Sequence, residues 1–510
     1  TVAAGDLIGG STFLSGLFHD EPAVESLNAM DLDVSSVGNH EFDEGTTELL
    51  RMQRGGCHPK DGCYFPDEPY AGADFQWLAA NVVVKDKDKD KDKDKDKDRD
   101  RSSSDRDDHD HGKERTLLPA TSIKKVGGVK VGFIGMTLEG TPTLVDPAGV
   151  ASVEFKDEVE TANKQARELR KKGVESIVVL LHEGGVQTGT YKQCLGISDP
   201  ILTIAKTMTA DVDAIVTGHT PQPYTCSIPD PRGKPRLVTS AASYGQVVSE
   251  TNLVIDTRSG EVDRARSTSR NHLVSRAAFA KDATQTGIIA KWSTLAGDLG
   301  QQVVGSNAED ILGDSSTCRC TETPMGDLLA DAILWGTKAP ANGGAQISFM
   351  NIGGVRSTLL YAPKYTEEPG QITYKEAYDV APFGNLLVSM DLTGQQVKDV
   401  LEQQFIAGRP GGREYLALGV SGGFSYTWDD SRAAGDKVIT SSMALNGTPM
   451  SLGATYRVST LNFLANGGDS FTGFTAGTNV LGGAEDLANL VAYFTANPGL
   501  KAPADRVSGL

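Results

Sequence analysis

Between Thr1 and about Asp256, short runs rich in Val and Ile recur with helix-like stretches between them: TVAAGD, DVSSVGNHEF, WLAANVVV, VKVGFIGMT, SIVVLLHEGG, DAIVTGHT, PRLVTSAAS and SETNLVIDT. This alternation is the pattern of a layered α/β domain, in which strands form sheets and the intervening stretches cover them. Several runs end in a polar residue beside glycine. Four stand out: Gly5-Asp6, Gly38-Asn39-His40-Glu41 with Asp43, His182-Glu183, and Gly218-His219. Catalytic groups in α/β sheets gather at the carboxyl ends of strands, so chemistry is expected at these four turns.

A chain of 510 residues exceeds what one hydrophobic core usually serves, and two domains are expected. The strand rhythm is broken by KDKDKDKDKDKDKD at 85 to 98, continuing to about Arg115. Strict alternation sets like charges at i,i+4, and Asp is a weak helix former, so 85–115 reads as a solvated, disordered insert. His109 and His111 within it read as part of a polar loop. Residues 276–302 have helical spacing without strand alternation and read as a helical linker, dividing a domain 1–275 from a domain 303–510. Past the linker come the Gly-rich loops NIGGVRS, APFGN and NFLANGGDSFTGF.

The formal charge of −18 disfavours a polymeric nucleic-acid partner, because such binders concentrate Lys and Arg. A small anionic ligand stays open, since a few arginines in one cleft reverse the local potential. The longest apolar runs are too short to span a bilayer. The cysteines fall in close groups: Cys57 and Cys63, Cys194 and Cys226, Cys318 and Cys320. In its Gly-rich setting GGCHPKDGC the first pair reads as a disulfide closing a surface loop, which favours an oxidising compartment. The opening TVAAGD is already strand-like, and a preceding strand is expected.

Glycine before a ligand permits the tight turn that aims it out of a sheet. Carboxylate, amide oxygen and two imidazoles form a mixed N/O donor set suited to Zn, Mn or similar ions. One turn histidine alone is more often structural. Four such strand ends in one domain reverse that expectation.

GDLIGG, GNHEFD, the HEGG turn and GHTP resemble the ordered motifs of calcineurin-like metallophosphoesterases. Together with the second-domain loops, they resemble the 5′-nucleotidase family, including its UDP-sugar hydrolase members. The resemblance covers essentially the whole chain apart from the charged insert. It implies an N-terminal four-layer αββα metallophosphoesterase domain and a C-terminal α/β 5′-nucleotidase domain. It also implies divalent metal ions as cofactors, Zn or Mn first and Mg or Co next. Asp6 falls at the bridging carboxylate, and Asn39, His182 and His219 match the other ligands of one ion. His40 matches the catalytic histidine, with Asp43 orienting its ring. The second ion's Asp-x-His pair is missing from the sequence given, either because an opening strand was lost or because the site has decayed, and its remaining ligand position is occupied by Pro221, with Gln222 one residue away. One near-complete metal position and one weak or empty position are therefore expected.

In the second domain the resemblance makes Arg319, Asn351 and Arg356 substrate-binding. It places Phe383 and Phe463 on the two faces of a nucleobase, Asn385 at the base edge and Asp469 at the ribose hydroxyls. The activity implied is metal-dependent hydrolysis of a nucleoside 5′-monophosphate to nucleoside and phosphate, in a secreted, periplasmic or envelope-associated protein. Two alternatives stay open: a phosphodiesterase acting on UDP-sugars, nucleoside polyphosphates or cyclic nucleotides, and a nucleotide-binding pseudo-enzyme. A site between two domains further implies a rotation hinged at 276–302.

Overall fold

A computed structural model of the chain describes residues 1–85, 114–146, 148–314, 322–407, 409 and 414–509. The charged insert beyond Lys85, Cys318, Arg319 and Cys320 lie outside the described residues.

The N-terminal unit is built on two facing sheets. One holds the parallel strands Val2–Ala4, Val34–Ser36 and Gln76–Leu78 in that order, with Val2 opposite Val34 and Val34 opposite Gln76. The other runs Tyr224–Pro229, Pro235–Ser240, Ala214–Thr217, Ser176–His182, Val129–Thr137, Thr121–Val126. Its inner strands are parallel. Val34, Leu78, Val178 and Leu180 are buried between the sheets. The helices Glu158–Lys171 and Ile201–Thr207 cover the outer face of the larger sheet, sealing Ile177, Val179 and Ile215. Val24 of helix Glu21–Ala29, and Leu49 and Met52 of helix Gly45–Arg54, are buried with Trp77 on the other side. Helix, sheet, sheet and helix stack as the four-layer α/β arrangement.

Local sequence sets the helix starts. Asp157 and Asp282 accept the backbone N–H three residues on, and Thr373 and Thr393 each complete a capping box with Glu376 and Gln396. The segment expected to be helical over 276–302 is an α-helix only from Ala283 to Ala296, with one 3₁₀ turn at Leu299–Gln301. Asp282 caps the helix, and Gly297, with φ of 56°, ends it. Trp292 is buried against Phe18, and its indole N–H donates to Glu25 at 2.6 Å, so the linker helix docks on the N-terminal unit.

The C-terminal unit centres on a five-stranded mixed sheet, in the order Leu418–Val420, Ile347–Asn351, Thr455–Leu461, Leu386–Thr393, Thr478–Glu485. Helices Pro324–Thr337 and Asp486–Ala496 pack on one face. Helix Gly394–Glu402 and a cluster of phenylalanines pack on the other. Phe13, which opens the short helix Phe13–Gly16 after the N-terminal Gly-rich loop, is buried in this second unit between Tyr374 and Tyr378. Both pairs Cys57–Cys63 and Cys194–Cys226 are disulfide-bonded, the second beyond the single pair read from the sequence.

Candidate active site

The turns after strands Val2–Ala4, Val34–Ser36, Ser176–His182 and Ala214–Thr217 meet on one side of the two sheets. Asp6 and His219 hold φ of 56° and 65°, a left-handed backbone that costs a non-glycine residue of order 1 kcal/mol and persists only where the surroundings impose it. The backbones approach too closely for side chains on the glycines beside them. A Cβ on Gly38 would lie 2.3 Å from Asp6 Oδ1, and one on Gly218 would lie 2.5 Å from the Ala4 carbonyl oxygen.

His182 is 1% exposed. Its Nδ1–H donates to the Ala4 carbonyl at 2.6 Å, which fixes the tautomer and leaves the lone pair on Nε2. That atom is buried without a hydrogen-bond partner and lies 3.0 Å from Asp6 Oδ2. An imidazole lone pair facing a carboxylate requires a positive centre between them, either a proton or a metal. Asn39 Oδ1 sits 3.0 Å from His219 Nδ1, and the two imidazole rings are 5.4 Å apart at 70°. Asp6 with His182 and Asn39 with His219 thus form two adjoining couples. Carboxylate, amide oxygen and two imidazoles with an orphaned buried nitrogen fit a borderline divalent cation. Pro221 is exposed on the following turn, and Gln222 is partly buried.

Glu41 holds the first two turns together. Its carboxylate accepts the backbone N–H groups of Asp6 at 2.9 Å, Leu7 at 2.8 Å and Gly38, and the Trp77 indole N–H at 3.3 Å. The surrounding protein disfavours charge on Asp6, but the imidazoles of His182 and His40 hold its carboxyl well below the usual range. Burial and the charge of Asp6 push Glu41 up to about 7. Negative charge is therefore concentrated on Asp6.

His40 Nδ1 lies 2.8 Å from Asp43 Oδ2. Burial opposes its charge, yet Asp43 and Asp6 raise its pKa to about 9. Its ring faces Phe383 of the C-terminal unit, with centroids 5.9 Å apart and planes 12° from parallel. The Arg356 guanidinium lies 5.6 Å from the same Phe383 ring, and its charge acts on both His40 and Asp43. Deeper in that unit Asn351 Nδ2 donates to Asp469 Oδ2 at 3.2 Å, and Asn351 Oδ1 is buried without a partner. Phe463 is partly buried over Gly468. The Asn385 carbonyl accepts from the Asp486 N–H at 2.8 Å. His40, from a strand-end turn of one unit, thus meets Phe383 and Arg356 of the other.

Three groups were not singled out by sequence reasoning. Glu41 stands inside GNHEFD, but its role in tying two turns together was not read from that motif. Asp20, in the HDEP stretch before a helix, is buried and accepts from the Gly9 N–H and the Ser15 hydroxyl, pinning the loop that carries Phe13. Asp146 receives the side-chain amides of Asn462 at 3.0 Å and Asn466 at 2.9 Å from the other unit, a contact with no local sequence signal.

The 5′-nucleotidase C-terminal domain family matches residues 303–476. Over 494 residues the chain is 31% identical to Endonuclease YhcR of Bacillus subtilis (strain 168), covering 96% of this chain and 35% of that protein. It is 29% identical over 506 residues to Cell wall protein Lmo0130 of Listeria monocytogenes, covering 96% of this chain and 59% of the relative. The chain thus spans less than two thirds of each of these relatives. A solved 5′-nucleotidase precursor from Thermus thermophilus is similar over 100% of this chain and 89% of its own, with a TM-score of 0.75 and 28% identity. The C-terminal family match over residues 303–476, the relatives aligned along 96% of this chain and that solved two-unit structure all support the 5′-nucleotidase family.

Proposed function

We propose that the chain hydrolyses nucleoside 5′-monophosphates to nucleoside and phosphate, using a divalent cation, zinc or manganese, held by Asp6, Asn39, His182 and His219. The observation that carries this reading is the stacking of His40 on Phe383 beside Arg356, because it sets a residue of the strand-end motifs in one unit against an aromatic ring and a guanidinium of the other. When bound, the cation supplies an activated water and neutralises charge on the phosphoryl oxygens. His182 keeps its Nε2 free for that ion because Nδ1 is committed to the Ala4 carbonyl. His40 carries a proton and is oriented by Asp43, leaving Nε2–H to donate to a phosphoryl or leaving-group oxygen. Arg356 and Arg319 balance the charge of the anionic substrate, and Asn351 contacts it. Phe383 and Phe463 hold the base by stacking, which contributes roughly 1–3 kcal/mol per base, while Asn385 and Asp469 read its edge and the ribose.

The charge of −18 favours a small nucleotide over a polymer, although one relative bears the name endonuclease. Two disulfides and the cell-wall name of another relative support a secreted or envelope location. Among the described residues no helix is long and apolar enough to cross a membrane. The domains are proposed to divide at 275 and 303, with the docked helix Ala283–Ala296 between them. The test is phosphate release from AMP with zinc or manganese added, compared with the chelated protein and with UDP-glucose as substrate. Metal-dependent release from AMP is expected. Tight AMP binding with no release at saturating metal would instead mark a nucleotide-binding pseudo-enzyme.

A further inference from the structure

A second group of donors lies away from the cleft. His19 follows the short helix Phe13–Gly16, Glu44 and Glu48 lie one turn apart at the start of helix Gly45–Arg54, and His58 belongs to the loop closed by Cys57–Cys63. One donor atom from each of these four lies within 4.8 Å of the others. Two ligands of a cation bound at about 2.0–2.2 Å are at most about 4.4 Å apart, so a small contraction would bring all four into one shell. The two imidazole rings are stacked, with centroids 3.7 Å apart. Stacked imidazoles repel each other if both are protonated, whereas two neutral rings can serve one cation.

The surroundings match a metal-ligating histidine. His19 Nδ1 points at both Glu44 oxygens, 2.9 and 2.8 Å away, while Nε2 is 2.8 Å from Asp61 Oδ2. With a cation at Nδ1, Nε2–H donates to Asp61, the carboxylate–histidine arrangement that orients ligands in metal centres. The same Asp61 oxygen lies 3.4 Å from His58 Nδ1. Arg51 is already shared between Glu48 and Glu21, leaving the cluster an excess of carboxylate over fixed positive charge. Glu44 is 45% exposed and gives a route in from solvent, while His58 and Glu48 are nearly buried.

We propose that His19, Glu44, Glu48 and His58 form a second divalent-cation site, of imidazole and carboxylate donors suited to zinc, distinct from the catalytic cleft. Its place in the fold gives it a structural role. Phe18 and Tyr64 are chain neighbours of the site and pack with Trp292 of the linker helix. An ion here cross-links the helix turn, the disulfide loop and the start of helix Gly45–Arg54 beneath that docking surface.

The test strips the full chain with a chelator, dialyses it against zinc, removes the unbound zinc and counts what is bound by mass spectrometry. It compares a His182→Ala/His219→Ala variant with the same chain also carrying His19→Gln/His58→Gln. The two chains share every other group, so the difference reports only this cluster. One equivalent of zinc lost in the second chain is expected, and equal counts would overturn the proposal. Should the quadruple variant fail to fold by circular dichroism, Glu44→Gln in the His182→Ala/His219→Ala chain replaces it, since that side chain is exposed. Zinc affinity about tenfold or more weaker, with a smaller zinc-induced rise in Tm, is then expected; unchanged affinity would overturn the proposal.

Discussion

His182 shows how one residue can be fixed for a task by its backbone surroundings. The Ala4 carbonyl takes one ring nitrogen, glycines at 38 and 218 admit the ring, and the other nitrogen is left toward Asp6. Replacing it by alanine removes a donor that no neighbour can supply, and at least a 100-fold fall in AMP hydrolysis is expected, together with weaker metal uptake in equilibrium dialysis. Asp43 acts at one remove, through the His40 ring. Asp43→Asn is therefore expected to lower kcat by roughly 10–100-fold while KM for AMP stays nearly unchanged. A change confined to KM would show that Asp43 serves binding instead. These side chains were legible in the sequence because each stands at a glycine-flanked strand end. Glu41 shares such a motif, but its role depends on three backbone N–H groups from two separate turns converging on it, which no local pattern announces.

At the scale of elements, the strands of the first unit were readable from their Val and Ile runs, while their order in the two sheets was not. The linker was less readable. Helical spacing extends across 276–302, yet the N-cap at Asp282 and the glycine at 297 confine the helix to Ala283–Ala296, and docking of Trp292 onto Phe18 sets its position. Helix Asp486–Ala496 offers a pH test. Burial pushes Asp486 up to about 7, partly offset by hydrogen bonds from the Leu487 N–H and the Asn385 side chain. Between its ordinary value of 3.8 and about 7 the unfolded chain gives up a proton that the folded chain keeps. Stability is therefore greatest below 3.8, falls through that window and is level above it. Asp486→Asn keeps the hydrogen bonds without the charge, so its Tm, followed by calorimetry from pH 4 to pH 8, should lose this component of the decline and exceed that of the parent by a few degrees at pH 8. An identical pH profile in both proteins would refute the assignment.

Across the whole molecule, the proposed function depends on how the two units meet, and this was the part least legible in the sequence. Phe13 crosses into the second core, and Asp146 bonds Asn462 and Asn466 on either side of Phe463, contacts between residues more than 300 positions apart in the Asp146 case. Each hydrogen bond contributes about 0.5–1.5 kcal/mol net, so Asp146→Ala should shift the balance toward an open arrangement by roughly tenfold or more. Small-angle scattering would register this as a larger radius of gyration, and KM for AMP should rise. The central claim is that Asp6, Asn39, His182 and His219 hold a cation facing the arginine and phenylalanine pocket. Anomalous diffraction at the zinc edge, from crystals grown with zinc and AMP, tests it most directly. The account predicts a peak about 2.0–2.2 Å from His182 Nε2 and an Asp6 oxygen, with the AMP base between Phe383 and Phe463; a cleft without a peak, or AMP bound away from those rings, would contradict it.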